Sequence, residues 1–575
     1  MKSKIKIAFR EAKTKKEIPG YPPIINKILS ARGVNSKQDI DYNLNTLVPY
    51  HSVHDIEKAA QIIASSIVKQ RKIIIVADYD ADGATSCVLC IKAIKALGSS
   101  NIGYIVPSRF SHGYGLSAEL VEECVKAGAE LIITVDNGIT SITGVERANE
   151  LGIPVIISDH HLPGSELPKA AALVNPRVCA DDKLLNLAGV GVAFYLLLAV
   201  RAELRAINWF QTQDISEPNL ACYLDLVALG TVADIAVLDK NNRTLVHQGL
   251  KRIQHRQCCY GIAALLEISK RDFSSVDAGD LGFALGPRLN AAGRLEDMAL
   301  GIECLLVEDY TTAYKLASQL HELNAERRAI EEDMKLEAVA LLDDQIETGL
   351  HTEKKVSVCL YHQEWHQGVI GILASRIKDR THRPVVIFAK GEDGNLKGSA
   401  RSIQGIHIRD IFETIDAAQP GIITKFGGHA MAAGLTIGQD KYEDFCDIFE
   451  SAILKVSTAE IFENTVFVDG ELDDSDISID FADQIKGLGP WGHHFPQPQF
   501  YGKFTVISVD VLKEKHLKMN LRTQRGLFVQ AIAFNCIDSE WQGLSEKIEL
   551  VYHLDVNDYR GNRSLQLMVE SLTNC

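Results

Sequence analysis

The sequence lacks any run of about 18 consecutive apolar residues, the length that a membrane-spanning helix requires. Its first residues, MKSKIKIAFREAKTKKEIPGY, lack the apolar core of a signal peptide. Twelve cysteines are scattered without a framework, and Cys87 and Cys90 have no second CxxC pair that would complete a zinc site. We therefore expect no membrane association, reduced thiols and a cytoplasmic location.

An excess of positive charge is also absent. Lys and Arg number 60 against 75 Asp and Glu, which gives a net charge of −15. This balance argues against broad binding of polyanions, so a nucleic-acid enzyme of this composition must confine its basic residues to one groove. What is present, 46% hydrophobic and 23% charged residues over 575 positions, is typical of a folded protein with three or four domains.

The most informative stretch is IIIVADYDADGATS, residues 73–86. Its apolar start predicts a buried parallel strand. Asp78, Asp80 and Asp82 follow at alternate positions and so point the same way, at the end of the strand where open α/β folds bind ligands. Two carboxylates ~4 Å apart repel by about 4 kcal/mol at an effective dielectric near 20. A hard cation such as Mg²⁺ or Mn²⁺ would offset this repulsion, and the alternative is an acidic loop that caps the next helix.

Later apolar runs end in side chains of the same kind. The residues that follow or flank them are Asp136, His160, His161, Asp225 and Asp234. Strands and helices alternate between residues 72 and 176, which predicts a doubly wound parallel sheet. Single acidic loops are common, but three successive strands that end in metal-type ligands are not. We therefore predict that these side chains form one metal site.

Four motifs in this order, DYDADG, VDNG, DHH and DLVALGTVAD, resemble those of the DHH phosphoesterase superfamily. Further stretches resemble the branch of that superfamily that degrades single-stranded DNA. They are PSRFSHGYGLS, GPRLNAAGRLED, EWHQGVIGILASR, LKGSARS and FGGHAMAAGL. The resemblance extends from about residue 50 to the C-terminus.

This resemblance and the strand pattern together predict the fold class. We expect an α/β protein with two lobes, a DHH domain and a DHH-associated domain, joined by a long helix and followed by a C-terminal OB-like β-barrel. A helical run over 312–344 favours a rigid connector with a cleft between the lobes, and an exposed helix inside one domain is the alternative. The expected boundaries are 1–50 for an N-terminal helical segment, 51–300 for the DHH catalytic domain, 301–350 for the connector helix, 351–457 for the DHH-associated (DHHA1) domain and 458–575 for an OB-fold nucleic-acid-binding domain.

The resemblance also implies roles for individual residues. The residues expected to hold two divalent cations, Mg²⁺ or Mn²⁺, are Asp80, Asp82, Asp136, His160 and Asp225. His161 would face the scissile phosphate, and Asp78 would either bind a cation or orient a ligand. Two cations ~3.5–4 Å apart can activate a water molecule and stabilise a leaving oxygen.

A second group of residues could contact DNA. The candidates are Arg109, Ser399, Arg401 and His429 for a 5′-terminal phosphate, and Lys515, Lys518 and Arg522 for the strand. Arginine can bind phosphate in a bidentate manner, and the glycines before His429 permit a close backbone approach. Phe504, Phe528 and Tyr559 could stack on bases. The alternatives are salt-bridge arginines, a plain tight turn and a solvated basic hairpin with core aromatics.

The leading hypothesis is a metal-dependent 5′→3′ exonuclease that hydrolyses single-stranded DNA to mononucleotides in DNA repair and recombination. The resemblance suggests work beside a helicase and a single-strand-binding protein, and we expect a monomer. A non-catalytic nucleic-acid-binding scaffold is a second hypothesis, but such a protein should have lost ligands. A small-molecule phosphoesterase is a third, but it would need neither the barrel nor the connector.

Overall fold

A computed structural model describes residues 5–14, 16–107, 115–179, 183–347, 355–391, 394–534, 536, 545–559 and 562–574. The chain forms two compact units. The larger unit comprises Phe9–His321 and Val468–Cys575, and the smaller unit comprises Met1–Ala8 and Glu322–Phe467. In the described part of the chain, no helix has both the length and the apolar character needed to cross a membrane.

Up to Leu306 the chain first alternates strands with helices and then becomes helical. In chain order the elements are β1 (Ile5–Phe9), α1 (Pro23–Ala31), α2 (Ile56–Val68), β2 (Ile73–Ala77), α3 (Ala81–Ala96), β3 (Ile102–Ile105), α4 (Ala118–Lys126), β4 (Leu131–Val135), α5 (Ile142–Glu150), β5 (Val155–Ser158), β6 (Ala172–Val174), α6 (Gly189–Ala206), α7 (Trp209–Thr212), α8 (Leu224–Ala233), α9 (Lys240–Gln254), α10 (Tyr260–Ile268), α11 (Ala278–Asp280), α12 (Gly286–Leu295) and α13 (Ala299–Leu306).

The larger unit is built on a five-stranded sheet in the order β3-β2-β4-β5-β6, with every neighbouring pair parallel. All residues of β2, β4 and β5 are buried, which their continuous apolar sequences require. Helices α4 and α5 pack on one face through Leu120, Val121 and Val145. The predicted doubly wound parallel sheet is confirmed. Because the strands run the same way, the segments that follow β2, β4, β5 and β6 meet at one edge.

The next part of the chain contains a long helix and a second sheet. Its elements are α14 (Tyr310–Glu347), β7 (Val358–Tyr361), α15 (Ile370–Thr381), β8 (Val385–Lys390), β9 (Leu396–Arg401), α16 (Ile408–Ala418), β10 (Lys425–Gly428), β11 (Ala432–Ile437) and α17 (Tyr442–Val456). The 38 residues of α14 begin in the larger unit and end in the smaller one, which confirms the predicted long helix.

The sheet of the smaller unit has the order β10-β11-β9-β8-β7. Helix α15 covers part of one face, where Leu373 and Ile377 pack against Val385 and Ile387 of β8. The other face packs on Phe412, Phe445 and Phe449 of α16 and α17, in the core that also contains residues of β9 and β11. The face of β10 and β11 that is turned away from this core carries Gly427, Gly434 and other small or polar residues.

The last part of the chain forms a closed barrel. Its elements are β12 (Asn464–Val468), β13 (Gly470–Glu471), α18 (Ile479–Gly487), β14 (Phe500–Leu512), β15 (His516–Thr523), β16 (Phe528–Ala533), β17 (Lys547–Tyr559) and β18 (Asn562–Asn574). The strand order β14-β15-β16-β18-β17 closes through pairing of β14 with β17. β16 and β18 are parallel, whereas the other barrel pairs are antiparallel. The predicted OB-like barrel is confirmed.

The sequence analysis predicted a helical N-terminal segment, but this segment also contains a strand. Ile5–Phe9 forms β1, which pairs with β12 in a two-stranded sheet. The alternation of Ile5, Ile7 and Phe9 with Lys6 and Ala8 has the two-residue period of a strand and gives the physical reason.

Candidate active site

The acidic loop after β2 is fixed by hydrogen bonds to its own backbone. Asp80 is the N-cap of α3, and its Oδ1 accepts the N–H groups of Asp82 at 2.9 Å and Gly83 at 3.0 Å. This is the helix-capping alternative that the sequence left open. The cap does not exclude a metal role, because the same loop also faces the other acidic residues of the edge.

Asp82 is buried at the N-terminus of α6. Its Oδ2 accepts the N–H of Gly189 at 2.7 Å, and its Oδ1 accepts the N–H of Val190 at 2.9 Å. The helix terminus favours the carboxylate form. Burial and the charge of Asp80 nevertheless outweigh these bonds and raise the pKa of Asp82 to about 7.

Asp136 follows β4 in a left-handed backbone conformation, with φ of 61°. The neighbouring Asn137 donates from Nδ2 to the carbonyl oxygens of Val76 at 3.0 Å and Val135 at 2.9 Å, which ties the ends of β2 and β4 together. A Cβ atom at Gly189 would lie 2.5 Å from Asp136 Oδ1, so glycine is needed for α6 to approach this carboxylate. Burial and the charges of the other acidic residues raise the pKa of Asp136 well above its usual value.

His160 and His161 follow β5 and have different partners. Nε2 of His160 lies 3.1 Å from Asp136 Oδ1, and its Nδ1 lies 3.9 Å from Asp234 Oδ2. Nδ1 of His161 lies 2.7 Å from Asp159 Oδ1. Burial lowers the pKa of His161, but the hydrogen bond and the negative charge of Asp159 outweigh burial and raise it to about 9.

Asp159 is a site residue that the sequence analysis did not select. It is fully buried and accepts the N–H groups of Ile139, His160 and His161 at 2.9, 2.7 and 3.1 Å. These bonds fix the loop in which both histidines lie and hold the ring of His161. The position of Asp159 directly before His160 and His161 could have identified it from the sequence.

The structure places Asp234, and not the predicted Asp225, beside Asp82 and His160. Asp225 lies in the first turn of α8, where its Oδ2 accepts the N–H of Cys259 at 2.8 Å. Asp234 caps the other end of the helix, nine residues later, about 13.5 Å along the axis. The motif contains both aspartates, and only the direction of α8 decides which one reaches the edge of the sheet.

The described residues contain three groups of ligand atoms, and within each group all atoms lie within 4.8 Å of one another. The groups are Asp136 with His160 and His161, Asp82 with His160 and Asp234, and Asp78 with Asp80 and Asp136. Burial and mutual repulsion raise the pKa of Asp82, Asp136 and Asp234, and bound cations would relieve this repulsion. Carboxylate and imidazole donors fit Mn²⁺ or Mg²⁺. Asp136 belongs to two groups, as a bridging ligand must.

Helix α12 supports the acidic loop from outside the cluster. Oδ1 of Asn290 accepts the N–H of Ala81 at 2.8 Å. A Cβ atom at Gly293 would overlap the carbonyl oxygen of Tyr79, so α12 packs directly on the loop backbone. The motif GPRLNAAGRLED carries these two residues, which the sequence analysis used for the resemblance but did not assign to a role.

In the smaller unit, Ser399 and Arg401 lie on the same face of β9. Nη1 of Arg401 donates to Ser399 Oγ at 3.2 Å and to the carbonyl oxygen of Ala400 at 2.8 Å. A Cβ atom at Gly371, in the first turn of α15, would lie 3.0 Å from Arg401 Nη2 and from Ser399 Oγ. Burial lowers the pKa of Arg401. Among the described residues, no carboxylate forms an ion pair with this guanidinium.

His429 lies next to this pair in the sheet but is exposed. Its N–H donates to the carbonyl oxygen of Ala432 at 2.8 Å, in the tight connection between β10 and β11. Strand register places Gly434 beside Ser399 and Gly427 beside Gly434, so the two strands next to Ser399 carry no side chain at these positions. Arg109 lies outside the described residues.

The barrel brings together most of the predicted strand contacts. Lys518 and Arg522 point outward from β15, where they alternate with buried Leu517, Met519 and Leu521. Phe528 is 67% exposed and pairs with Arg522 across the sheet. Lys515 is exposed in the turn between β14 and β15.

Phe504 cannot stack on bases. It is 4% exposed and packs on Tyr552 in the barrel core, with the ring centroids 5.6 Å apart. The expectation for Phe504 is therefore wrong, because its side chain points to the inner face of β14. The side chain of Tyr559 lies outside the described residues.

Comparison with known proteins agrees with the α/β fold and the acidic metal site. Residues 72–231 match the DHH family, N-terminal domain, residues 353–455 match the DHHA1 domain, and residues 468–571 match the RecJ OB domain. The fold and the acidic edge thus define a DHH-family protein with an associated DHHA1 domain and an OB domain.

Full-length relatives make the assignment more specific. The chain is 46% identical over 100% of both chains to the single-stranded-DNA-specific exonuclease RecJ of Escherichia coli, and 47% identical over 97% of both chains to that of Dickeya dadantii. It resembles the crystal structure of RecJ in complex with Mn²⁺ from Thermus thermophilus with a TM-score of 0.79 and 27% identity, over 97% of this chain and 79% of that one. The chain belongs to the RecJ family.

Proposed function

We propose that this protein is a metal-dependent exonuclease that hydrolyses single-stranded DNA from the 5′ end to mononucleotides. The observation that carries the proposal is the cluster of Asp and His ligand groups at the carboxyl edge of the sheet, in a chain of the RecJ family. The relatives are named for single-stranded-DNA-specific exonuclease activity, and the Thermus structures contain Mn²⁺ or Mg²⁺.

The residues of the cluster have three different roles: cation binding, contact with the phosphate and positioning of a histidine ring. Asp78, Asp80, Asp82, Asp136, His160 and Asp234 would hold the cations. When bound, two such cations activate water and stabilise the leaving oxygen of an in-line displacement. Nδ1 of His161 is held by Asp159, so Nε2 is the ring nitrogen that would donate a hydrogen bond to a phosphate oxygen. Asp159 holds the ring for this role and takes no part in the displacement itself.

Product analysis on three substrates tests the proposal. With Mn²⁺ or Mg²⁺, the protein should release mononucleotides from a long single strand and should act poorly on pyrophosphate and on dinucleotides. Asp136→Asn is the matched control, because the amide keeps the shape and tolerates the positive φ but lacks the charge. Binding without release would indicate a scaffold, and preferred hydrolysis of the small substrates would indicate a small-molecule phosphoesterase.

The direction of cleavage needs a group that binds one end of the strand. We propose that Ser399, Arg401 and His429 of the smaller unit bind the 5′-terminal phosphate. A half-buried guanidinium beside the first turn of α15, without a carboxylate partner among the described residues, supports this role. A terminal phosphate carries more charge than an internal one and would be preferred.

Arg401→Ala should reduce the preference for 5′-phosphorylated over 5′-hydroxyl strands and leave metal binding unchanged. The control is Arg409→Ala on α16, where an exposed arginine pairs with Glu413 at 3.3 Å. Cleavage of both substrates by the parent and by the two variants gives the comparison. If Arg401→Ala keeps the parent's preference, Arg401 does not read the 5′ end.

The remaining expectations follow from the proposed substrate. We propose that the protein acts in the cytoplasm as a monomer, in DNA repair and recombination, beside a helicase that opens duplex DNA and a single-strand-binding protein. Pull-down of the full-length chain from cell extract, with and without nuclease treatment, would separate protein partners from partners held only by DNA.

A further inference from the structure

The segment that follows β6 reaches the acidic edge but belongs to none of the ligand groups. β6 is the last strand of the sheet and runs parallel to β5, with Ser158 level with Val174. The N–H of Asp159 donates to the carbonyl oxygen of Val174 at 3.0 Å. The residues after Val174 therefore leave the sheet beside the loop of Asp159, His160 and His161.

Asn175 connects this segment to His161. The side chain is fully buried, donates from Nδ2 to the carbonyl oxygen of His161 at 2.9 Å, and accepts the N–H of Arg177 on Oδ1 at 2.8 Å. One buried amide thus fixes the backbone of His161 and the backbone of Arg177 relative to each other. A buried amide that hydrogen-bonds through both its nitrogen and its oxygen positions its two partners closely.

The side chain of Arg177 is exposed at this edge, and in the described part of the chain it forms no ion pair. It lies three residues after the end of β6, at the carboxyl edge of the sheet, beside the loop that carries both histidines. An unpaired surface arginine is ordinary in itself. Arg177 differs because Asn175 ties its backbone to the backbone of His161, directly beside the ligand groups.

We propose that Arg177 binds a non-bridging oxygen of the phosphodiester that is hydrolysed at the acidic edge. The inference rests on the proposed nuclease function and adds a positively charged group on the β6 side of the site. In the reaction, water adds its oxygen to phosphorus, the bond from phosphorus to the leaving oxygen breaks, and the leaving oxygen takes a proton. Arg177 gains and loses no proton and stabilises the added negative charge through its N–H groups.

Removal of the guanidinium should lower kcat more than it raises KM. We expect Arg177→Ala to lower kcat on the order of 10²-fold, the usual effect of losing one positioned donor. Arg177→Gln keeps the length without the charge and should behave the same way. The matched control is Arg71→Ala, because Arg71 precedes β2 at the opposite edge of the same sheet and likewise forms no ion pair among the described residues.

Chemical rescue separates a phosphate contact from a structural role. Guanidinium chloride at millimolar concentration should restore part of the activity of Arg177→Ala and none of that of Asp136→Asn. Mn²⁺ affinity, measured by calorimetry without DNA, should not fall in Arg177→Ala, because removing a cation near Asp234 cannot weaken cation binding electrostatically.

The inference is overturned if both Arg177 variants keep the kcat of the parent, or if guanidinium restores nothing. A fall in Mn²⁺ affinity that accounts for the lost activity would overturn it as well. The proposed function fails separately, when the parent itself releases no nucleotides from single strands.

Discussion

At the scale of single residues, the buried carboxylates of the acidic edge repel one another. The pKa of Asp82 is about 7 because burial and the charge of Asp80 outweigh its two backbone hydrogen bonds, whereas an unfolded aspartate has a pKa near 3.9. Between these two values the folded state holds a proton that the unfolded state has released. The free energy of unfolding of the metal-free protein must therefore fall as pH rises from about 4 to about 7.

We expect this loss to be smaller in Asp82→Asn, whose amide does not titrate. Urea unfolding in EDTA at intervals from pH 5 to pH 8 measures it, and each unit of pKa difference corresponds to about 1.4 kcal/mol. Saturating Mn²⁺ should flatten the dependence in the parent, because the cation takes the place of the proton. An equal slope for parent and variant would mean that Asp82 is not the source.

The exchange of Asp225 for Asp234 gives a second prediction at this scale. Asp234→Asn should abolish Mn²⁺-dependent hydrolysis and weaken Mn²⁺ binding, because it removes a ligand from the group with Asp82 and His160. Asp225→Asn should keep metal binding but cost about 1–2 kcal/mol of stability, because its bond to the N–H of Cys259 loses its charge. Calorimetric titration of both variants measures Mn²⁺ binding, and urea unfolding measures their stability. Normal Mn²⁺ affinity in Asp234→Asn would refute the assignment of Asp234 as a ligand.

At the scale of elements, α12 and the acidic loop act as one body. Gly293→Ala should displace the loop, because the new Cβ would overlap the carbonyl oxygen of Tyr79. We expect weaker Mn²⁺ binding and a loss of about 1–3 kcal/mol in stability, as for other overpacked positions. Gly487→Ala at the end of α18 is the control, because no atom lies within 4 Å of its added Cβ. Unchanged metal affinity in Gly293→Ala would show that the loop does not depend on this contact.

The outer face of β15 gives the second prediction for an element. Reversal of Lys515, Lys518 and Arg522 to Glu should weaken binding of long single strands, because these residues lie on the outer face of β15 and in the turn before it. Each lost phosphate contact should reduce the slope of log affinity against log salt by about 0.7.

The control for this prediction changes the net charge by the same amount. It reverses Lys58, Lys69 and Lys126, which are exposed on α2, just after α2 and on α4. Cleavage of very short oligonucleotides should change little in either variant. If both triple variants lose affinity for long strands equally, the effect comes from net charge and not from the barrel.

At the scale of the whole molecule, the two units should respond differently to metal. All ligand groups found among the described residues lie in the larger unit, so cation binding stabilises that unit directly. Mn²⁺ at 100 times its Kd adds about 2.7 kcal/mol. Scanning calorimetry should show one transition that rises with Mn²⁺ and another that stays near its metal-free temperature. Asp136→Asn is the control and should show no shift, and an equal shift of both transitions would show that the units unfold together.

The sequence by itself determined the parts of the protein that depend on local pattern. Apolar runs that end in Asp or His predict parallel strands with a metal site at their carboxyl edge, because strand direction follows from the β–α alternation. The long helix was predictable from its content of helix-forming Ala, Leu, Glu and Lys, and the barrel strands from the alternation of their short segments.

Only the tertiary structure decided which members of each motif meet. Asp225 and Asp234 share one motif, but the direction of α8 brings the second to the cluster and leaves the first on Cys259. Phe504 and Phe528 both lie in predicted strands, but the closure of the barrel buries one and exposes the other. The support from Gly189 and Gly293, more than 50 residues from the carboxylates or loop that they approach, depends on packing between helices, which no local pattern encodes.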